Sequence, residues 1–279
     1  MLKRERTAVI STSNRSVLFV LSALAAIIAL GVSAYSLINP DVYRSSVPQT
    51  LLPGAFSQDA VSLLVALSLL LCIYFIRSGR QMIWLVWVGL LGYLFYAYAL
   101  YSFDRVYNLL FLFYIAILGL AVYALIGFFR YSDLSCICIK EGPRQPPRKA
   151  VAVLFLLLAA LFATLWLNIV IPAMVSKVPP EGNSILVMDL SFVLPLLAVE
   201  ARLLLKKAPL GDVLAIPLLI KAGSLGLSVF VGTLIAPLFG QAIAPASVAL
   251  YALLGFGPLA LIMPFLSALT VSQTKAPSS

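Results

Sequence analysis

Long runs of apolar residues, each closed by a short polar or proline-containing break, recur along this chain from Val17 to Leu269. Each run is about 20 residues long, enough to cross the hydrocarbon core of a bilayer as a helix. The runs do not alternate strictly, so their backbone groups must pair within helices and not across a barrel. The pattern predicts spans at 17–38, 58–77, 82–101, 107–129, 151–172, 185–205, 212–235 and 242–269. Asn39-Pro40 ends the first, because proline cannot continue the hydrogen-bond ladder. Val32-Ser33-Ala34 near its end also fits a secretory cleavage site, but a span of about 22 residues favours a retained helix. The turn Ser78-Gly79-Arg80 is short, which makes the second and third spans an antiparallel pair. The fold class is all-α: a polytopic helical membrane bundle with eight transmembrane helices. Its parts read as a tail (1–16), a four-helix unit (17–131), a basic loop (132–149), a second four-helix unit (150–269) and a tail (270–279).

The two units resemble each other. Asp59 stands near the start of the second span and Asp189 near the start of the sixth. Arg77 and Lys207 follow at equal distances, each at a turn on the same side. A proline, Pro40 or Pro172, breaks the chain before each aspartate. An even number of spans per unit gives both the same orientation, so the halves read as two parallel repeats.

Composition agrees with a lipid solvent. Of 279 residues, 62% are hydrophobic and 10% charged, against about a quarter charged in soluble domains. The net charge of +9 gathers in alternate loops: Lys3, Arg4 and Arg6; Arg77 and Arg80; Arg130, Lys140, Arg144, Arg148 and Lys149; Arg202, Lys206 and Lys207. That asymmetry orients a chain in a cell membrane with both termini cytoplasmic, and the clusters are too short to favour nucleic acid. There is no histidine, which removes the commonest metal ligand and the usual haem ligand. Cys72, Cys136 and Cys138 form no disulfide framework and no complete metal set, so neither metal nor cofactor is expected.

Candidate chemistry concentrates in Gly92–Leu118, which holds six of the twelve tyrosines. Tyr98, Tyr101 and Tyr107 with Asp104–Arg105 fit an interfacial belt and turn. Tyr93 lies roughly 12 Å along the helix from Tyr101, too deep for that belt, and Tyr96 is close to it. With Tyr114 and Asn108 on the next span these groups either line an aromatic ligand pocket or join helices by hydrogen bonds. Ionisable groups inside spans are functional suspects. Asp59 and Asp189 read either as helix-end carboxylates that cap their spans or as a cation-binding pair. Glu200 and Lys221 face one another across the turn at Ala208-Pro209 with a depth mismatch of roughly 6 Å, which a lysine stem spans. That spacing predicts an intramembrane ion pair. Serines in spans without a base form no catalytic set, and no nucleotide or zinc-protease motif is present, so an enzyme is not expected.

Gln58-Asp59-Ala60-Val61, Gly92-Tyr93-Leu94-Phe95-Tyr96-Ala97-Tyr98 and Tyr107 to Tyr114, with Met188-Asp189-Leu190 and Pro195, resemble an uncharacterised prokaryotic family of multi-pass membrane proteins. The resemblance implies the architecture and no activity. Two function classes remain: a carrier or binder of a small lipophilic molecule, or an accessory or sensory subunit that packs against a membrane protein partner and exposes the loop 132–149.

Overall fold

The computed structural model describes residues 9–143 and 145–272, and of Thr12 and Ser13 only the backbone. Lys3, Arg4, Arg6, Arg144, Lys275, half of the expected first tail and most of the expected last one lie outside the described residues. Within them, eight helices are long and apolar enough to cross a membrane. They are α1 (Thr12–Ile38), α2 (Leu52–Arg77), α3 (Ile83–Phe103), α4 (Phe111–Tyr131), α5 (Arg148–Ser176), α6 (Asn183–Leu205), α7 (Pro209–Ile235) and α8 (Pro245–Ser267). The protein is an all-α bundle.

Several boundaries differ from expectation for local reasons. Helix α2 begins at Leu52, because Pro53 stands at the start of a helix, where its missing N–H is no loss. Asp59 consequently lies inside the helix and caps nothing. Residues 107–110 form a turn in which the Asn108 side-chain oxygen accepts the Leu110 N–H, delaying α4. Helix α1 starts at Thr12, and Val9 and Ile10 are buried ahead of it. Ile137–Ile139 (β1) pairs antiparallel with Leu269–Val271 (β2). The basic loop is therefore clasped to the chain just after α8, and Thr270 and Val271 are not tail. Cys136 precedes β1 and Cys138 lies in it; both are free thiols.

The end of the bundle carrying this clasp is the basic end, and the other is the far end. Helices α1 to α4 close on themselves, with α1 packed on α2 and α4, and α3 on α2 and α4. The other four do not form a separate ring. Helix α7 packs most extensively on α8 and also on α3 and α2, while α5 and α8 scarcely meet. Close approach explains the pairing of α7 with α3. A Cβ on Gly89 of α3 would lie 2.7 Å from Ile220 Cβ and 2.9 Å from the Pro217 carbonyl of α7. Gly226 and Gly255 let α7 and α8 touch backbone to backbone in the same way. One apolar core thus runs through both halves, with α3 the most buried span.

At the basic end Arg148 grips Asp212 through two bonds of 2.7 Å each, tying the start of α5 to the start of α7. At the far end the Gln241 amide reaches the carbonyls of Gln49 and Thr50, joining the last loop to the one before α2.

Candidate functional site

Two buried carboxylates organise the polar interior, each about 10 Å along its helix from the far end at 1.5 Å per residue. The first is Asp59, which is 0% exposed. The Tyr43 hydroxyl donates to its Oδ2 at 2.7 Å and Ser33 to its Oδ1 at 3.3 Å. Tyr43 comes from the short helix Asp41–Arg44, folded back over the far end after Pro40. Burial above all raises Tyr43 well above the ordinary phenol value, so it stays a neutral donor. Ser33 also lies 3.2 Å from the Tyr98 hydroxyl. Around this carboxylate the tyrosine rings stack: Tyr43 on Tyr101 at 5.9 Å and Tyr101 on Tyr114 at 4.8 Å. Asn108 donates to the Tyr114 hydroxyl at 3.2 Å and to the Val42 carbonyl. Asn108 also lines a shallow depression of ≈480 Å³ on the far end, with Asn39, Asp41 and Ser45.

The second carboxylate is Asp189. It accepts the Tyr96 hydroxyl at 2.8 Å on one oxygen and the Trp166 indole N–H at 2.9 Å on the other. Four helices meet here: α3 brings Tyr96, α5 brings Trp166, α6 brings Asp189, and α7 brings Lys221. The Lys221 ammonium sits 3.9 Å above the Tyr96 ring, a cation–π contact in a dry setting, and is within electrostatic reach of Asp189. Helix α6 is locally π-helical over Asp189–Val193. Such single-turn bulges are frequent at functional sites. The start of α6 is held by Asp104 of the α3–α4 turn, whose carboxylate accepts the Ser184 N–H at 3.0 Å. Asp189 therefore caps nothing; Asp104 does.

The structure separates the residues expected to share one pocket. Tyr93 turns to α2, where its hydroxyl donates to the Gln58 carbonyl at 3.2 Å. Tyr96 turns to α6, and Tyr114 joins the Asp59 cluster with Asn108. All three tyrosines are buried, and their hydroxyls meet three different partners: the Gln58 carbonyl, Asp189 and Asn108. Helical rotation of about 100° per residue is the reason: five positions from Tyr93 to Tyr98 sweep past three neighbouring helices.

The Glu200–Lys221 ion pair is not formed. Among the described residues the ion pairs are Arg44–Asp41 and Arg148–Asp212. Lys221 lies about 18 Å along α7 from Pro209 and its stem runs beside Gly92 of α3. Glu200 instead feels Asp212 near the basic end, and both its buried oxygens lack a hydrogen-bond partner among the described residues. Lys221 finds its partners where the π turn and the α3 glycines bring Asp189 and Tyr96 to it.

Trp166 and Tyr43 are not among the site residues expected from the sequence, and Ser33 is read there only within Val32-Ser33-Ala34. An indole N–H within a span is a signal for the first, since buried tryptophans find acceptors. Comparison with family models, with curated proteins and with solved structures gives no match. The family likeness of the quoted motifs thus has no counterpart among family models, and the eight-span membrane architecture is what stands.

Proposed function

We propose that the protein is a non-enzymatic carrier or binder of a small lipophilic molecule with a polar head group, working in the bilayer of a cell membrane. The observation that carries this reading is Lys221, a buried ammonium with an aromatic ring for one partner and, among the described residues, no carboxylate within ion-pair distance. Intramembrane charges are costly and tend to mark ligand or ion paths. A head group that accepts hydrogen bonds would complete the coordination of Lys221 while its tail lies along the partly buried Trp166 on the lipid-facing α5. In this reading Asp59 and Asp189 descend from one duplicated four-helix unit, and Asp189 alone acquired a lysine.

The test is binding of medium-chain fatty acids and alcohols to the purified protein in micelles, read by ligand-dependent quenching of tryptophan fluorescence. Lys221→Met is expected to weaken the binding of the acids at least tenfold, about 1.4 kcal/mol, with Tyr96→Phe a smaller loss. Equal affinity in all three proteins overturns the reading.

A second reading is favoured by one observation. From Thr164 to Ser176 most of α5 is exposed, including Leu165, Leu167, Ile171, Met174 and Val175. An accessory subunit would bury such a face against a membrane protein partner, and site-directed crosslinking from Met174→Cys in native membranes distinguishes a defined adduct from lipid contact.

A further inference from the structure

We propose that Asp59 is a proton-binding site reached from the far end of the bundle through tyrosine hydroxyls, with Asn108 as its gate. This goes beyond the ligand reading and does not depend on it.

Among the described residues, the groups that face Asp59 are serine and tyrosine hydroxyls. Ser33 and Ser36 come from α1, Tyr43 from the short helix, Tyr93, Tyr98 and Tyr101 from α3, and Tyr114 from α4. Helix α7, which also packs on α2, offers Ser228, whose hydroxyl is spent on Ser57 at 3.4 Å, while its lysine turns to Tyr96. Among the described residues no lysine or arginine lies within 4.0 Å of Asp59. An unpaired charge in such surroundings is costly, and a proton is the smallest counter-charge that removes it. A metal cation fits poorly: hard cations take about six or more oxygens at about 2.0–2.6 Å. Here the Tyr43 ring that covers the carboxylate is itself packed against Phe56 at 5.5 Å and Tyr101 at 5.9 Å between centroids. A proton requires no such space.

The route is short. Water in the far-end depression reaches Asn108, whose amide closes the floor by bonding the Val42 carbonyl and the Tyr114 hydroxyl. Behind it the Tyr114 hydroxyl neighbours those of Ser36 and Tyr43, and Tyr43 touches Asp59. A hydroxyl accepts and donates at once. A proton taken from hydronium in the depression, leaving water, passes by exchange: each oxygen gains one proton as it releases another. The carboxylate ends as a carboxyl, and nothing is oxidised or reduced.

Infrared difference spectroscopy of the full chain in lipid, stepped in pH, reads this directly. The wild type is expected to show the carbonyl stretch of a protonated carboxyl that titrates with pH, absent in Asp59→Asn and still present in Glu200→Gln. Tyr43→Phe, which keeps the ring, shifts the band without removing it. Asn108→Ala speeds its deuterium exchange at least tenfold. Circular dichroism and thermal melting confirm that each variant is folded. A titrating band that survives Asp59→Asn, no titrating band in the wild type, or a band that moves with sodium at fixed pH overturns the site. An exchange rate untouched by Asn108→Ala overturns the gate. Loss of fatty-acid binding in Lys221→Met with this band intact bears on the ligand reading alone.

Discussion

Asp59 and Asp189 sit at similar depth and each accepts a tyrosine hydroxyl, yet their surroundings differ in one respect. Asp189 shares its space with the Lys221 ammonium, and Asp59 shares its space with hydroxyls alone. The first region sets a cation on an aromatic face, with a carboxyl side chain held nearby by two neutral donors. The second is built around a carboxyl group that neutrality suits. The difference teaches that an acidic residue in a span has no fixed role; the counter-charge within reach decides it.

The comparison breaks most readily at the carboxylates themselves. Asp189→Asn takes from Lys221 the carboxylate in its electrostatic reach, though not in ion-pair contact, and is expected to cost roughly 3 kcal/mol, the lower end for uncovering a buried charge. Asp59→Asn strands no cation and is expected to cost about 1 kcal/mol, the scale of one hydrogen bond. Reversible unfolding in mixed micelles measures both, and Lys221→Met on top of Asp189→Asn should recover most of the loss. Equal losses for the two single variants, or no recovery in the double one, would erase the distinction.

A smaller effect sharpens it. Tyr96→Phe removes a donor to the acceptor beside Lys221 and should cost about 2 kcal/mol, while Tyr43→Phe removes a donor to the proposed carboxyl of Asp59 and should cost about 1 kcal/mol. The same unfolding assay ranks them, and a reversed order argues that Asp59 carries the charge.

Much of the fold is readable from the chain, because eight apolar runs of about 20 residues leave helices as the one way to satisfy the backbone in lipid. Asp59, Asp189, Tyr96 and Lys221 stand out there too, each being polar where polarity is costly. Their partners do not. Tyr43 lies in what reads as an outside loop, and only the fold-back after Pro40 carries it to Asp59. Trp166 meets Asp189 across two helices. The expected Glu200–Lys221 pair assumes that adjacent helices face one another at those positions, whereas α7 turns its lysine to α3, which is distant in sequence and closely packed at Gly89.

The smallest expected effect concerns how Asp189 is held in place. Asp104→Ala frees the first turn of α6 and should cost about 1 kcal/mol, as loss of a cap does. Hydrogen exchange should quicken over Asn183–Met188 and leave α2 unchanged. Exchange that quickens equally in α2 would show that the two regions are not independent.

The π turn at Asp189–Val193 has a consequence for how this centre can be lost. Such a turn is the trace of one extra residue in a helix, and it advances everything on one side of it by about a third of a revolution. Deleting Ser191 would let α6 wind regularly and swing Asp189 off the axis of Tyr96 and Trp166, with no residue of the centre altered. The span would keep its apolar character and still cross the membrane. Phase, like residue type, is thus part of the specification here, and a scan of substitutions alone would never touch it.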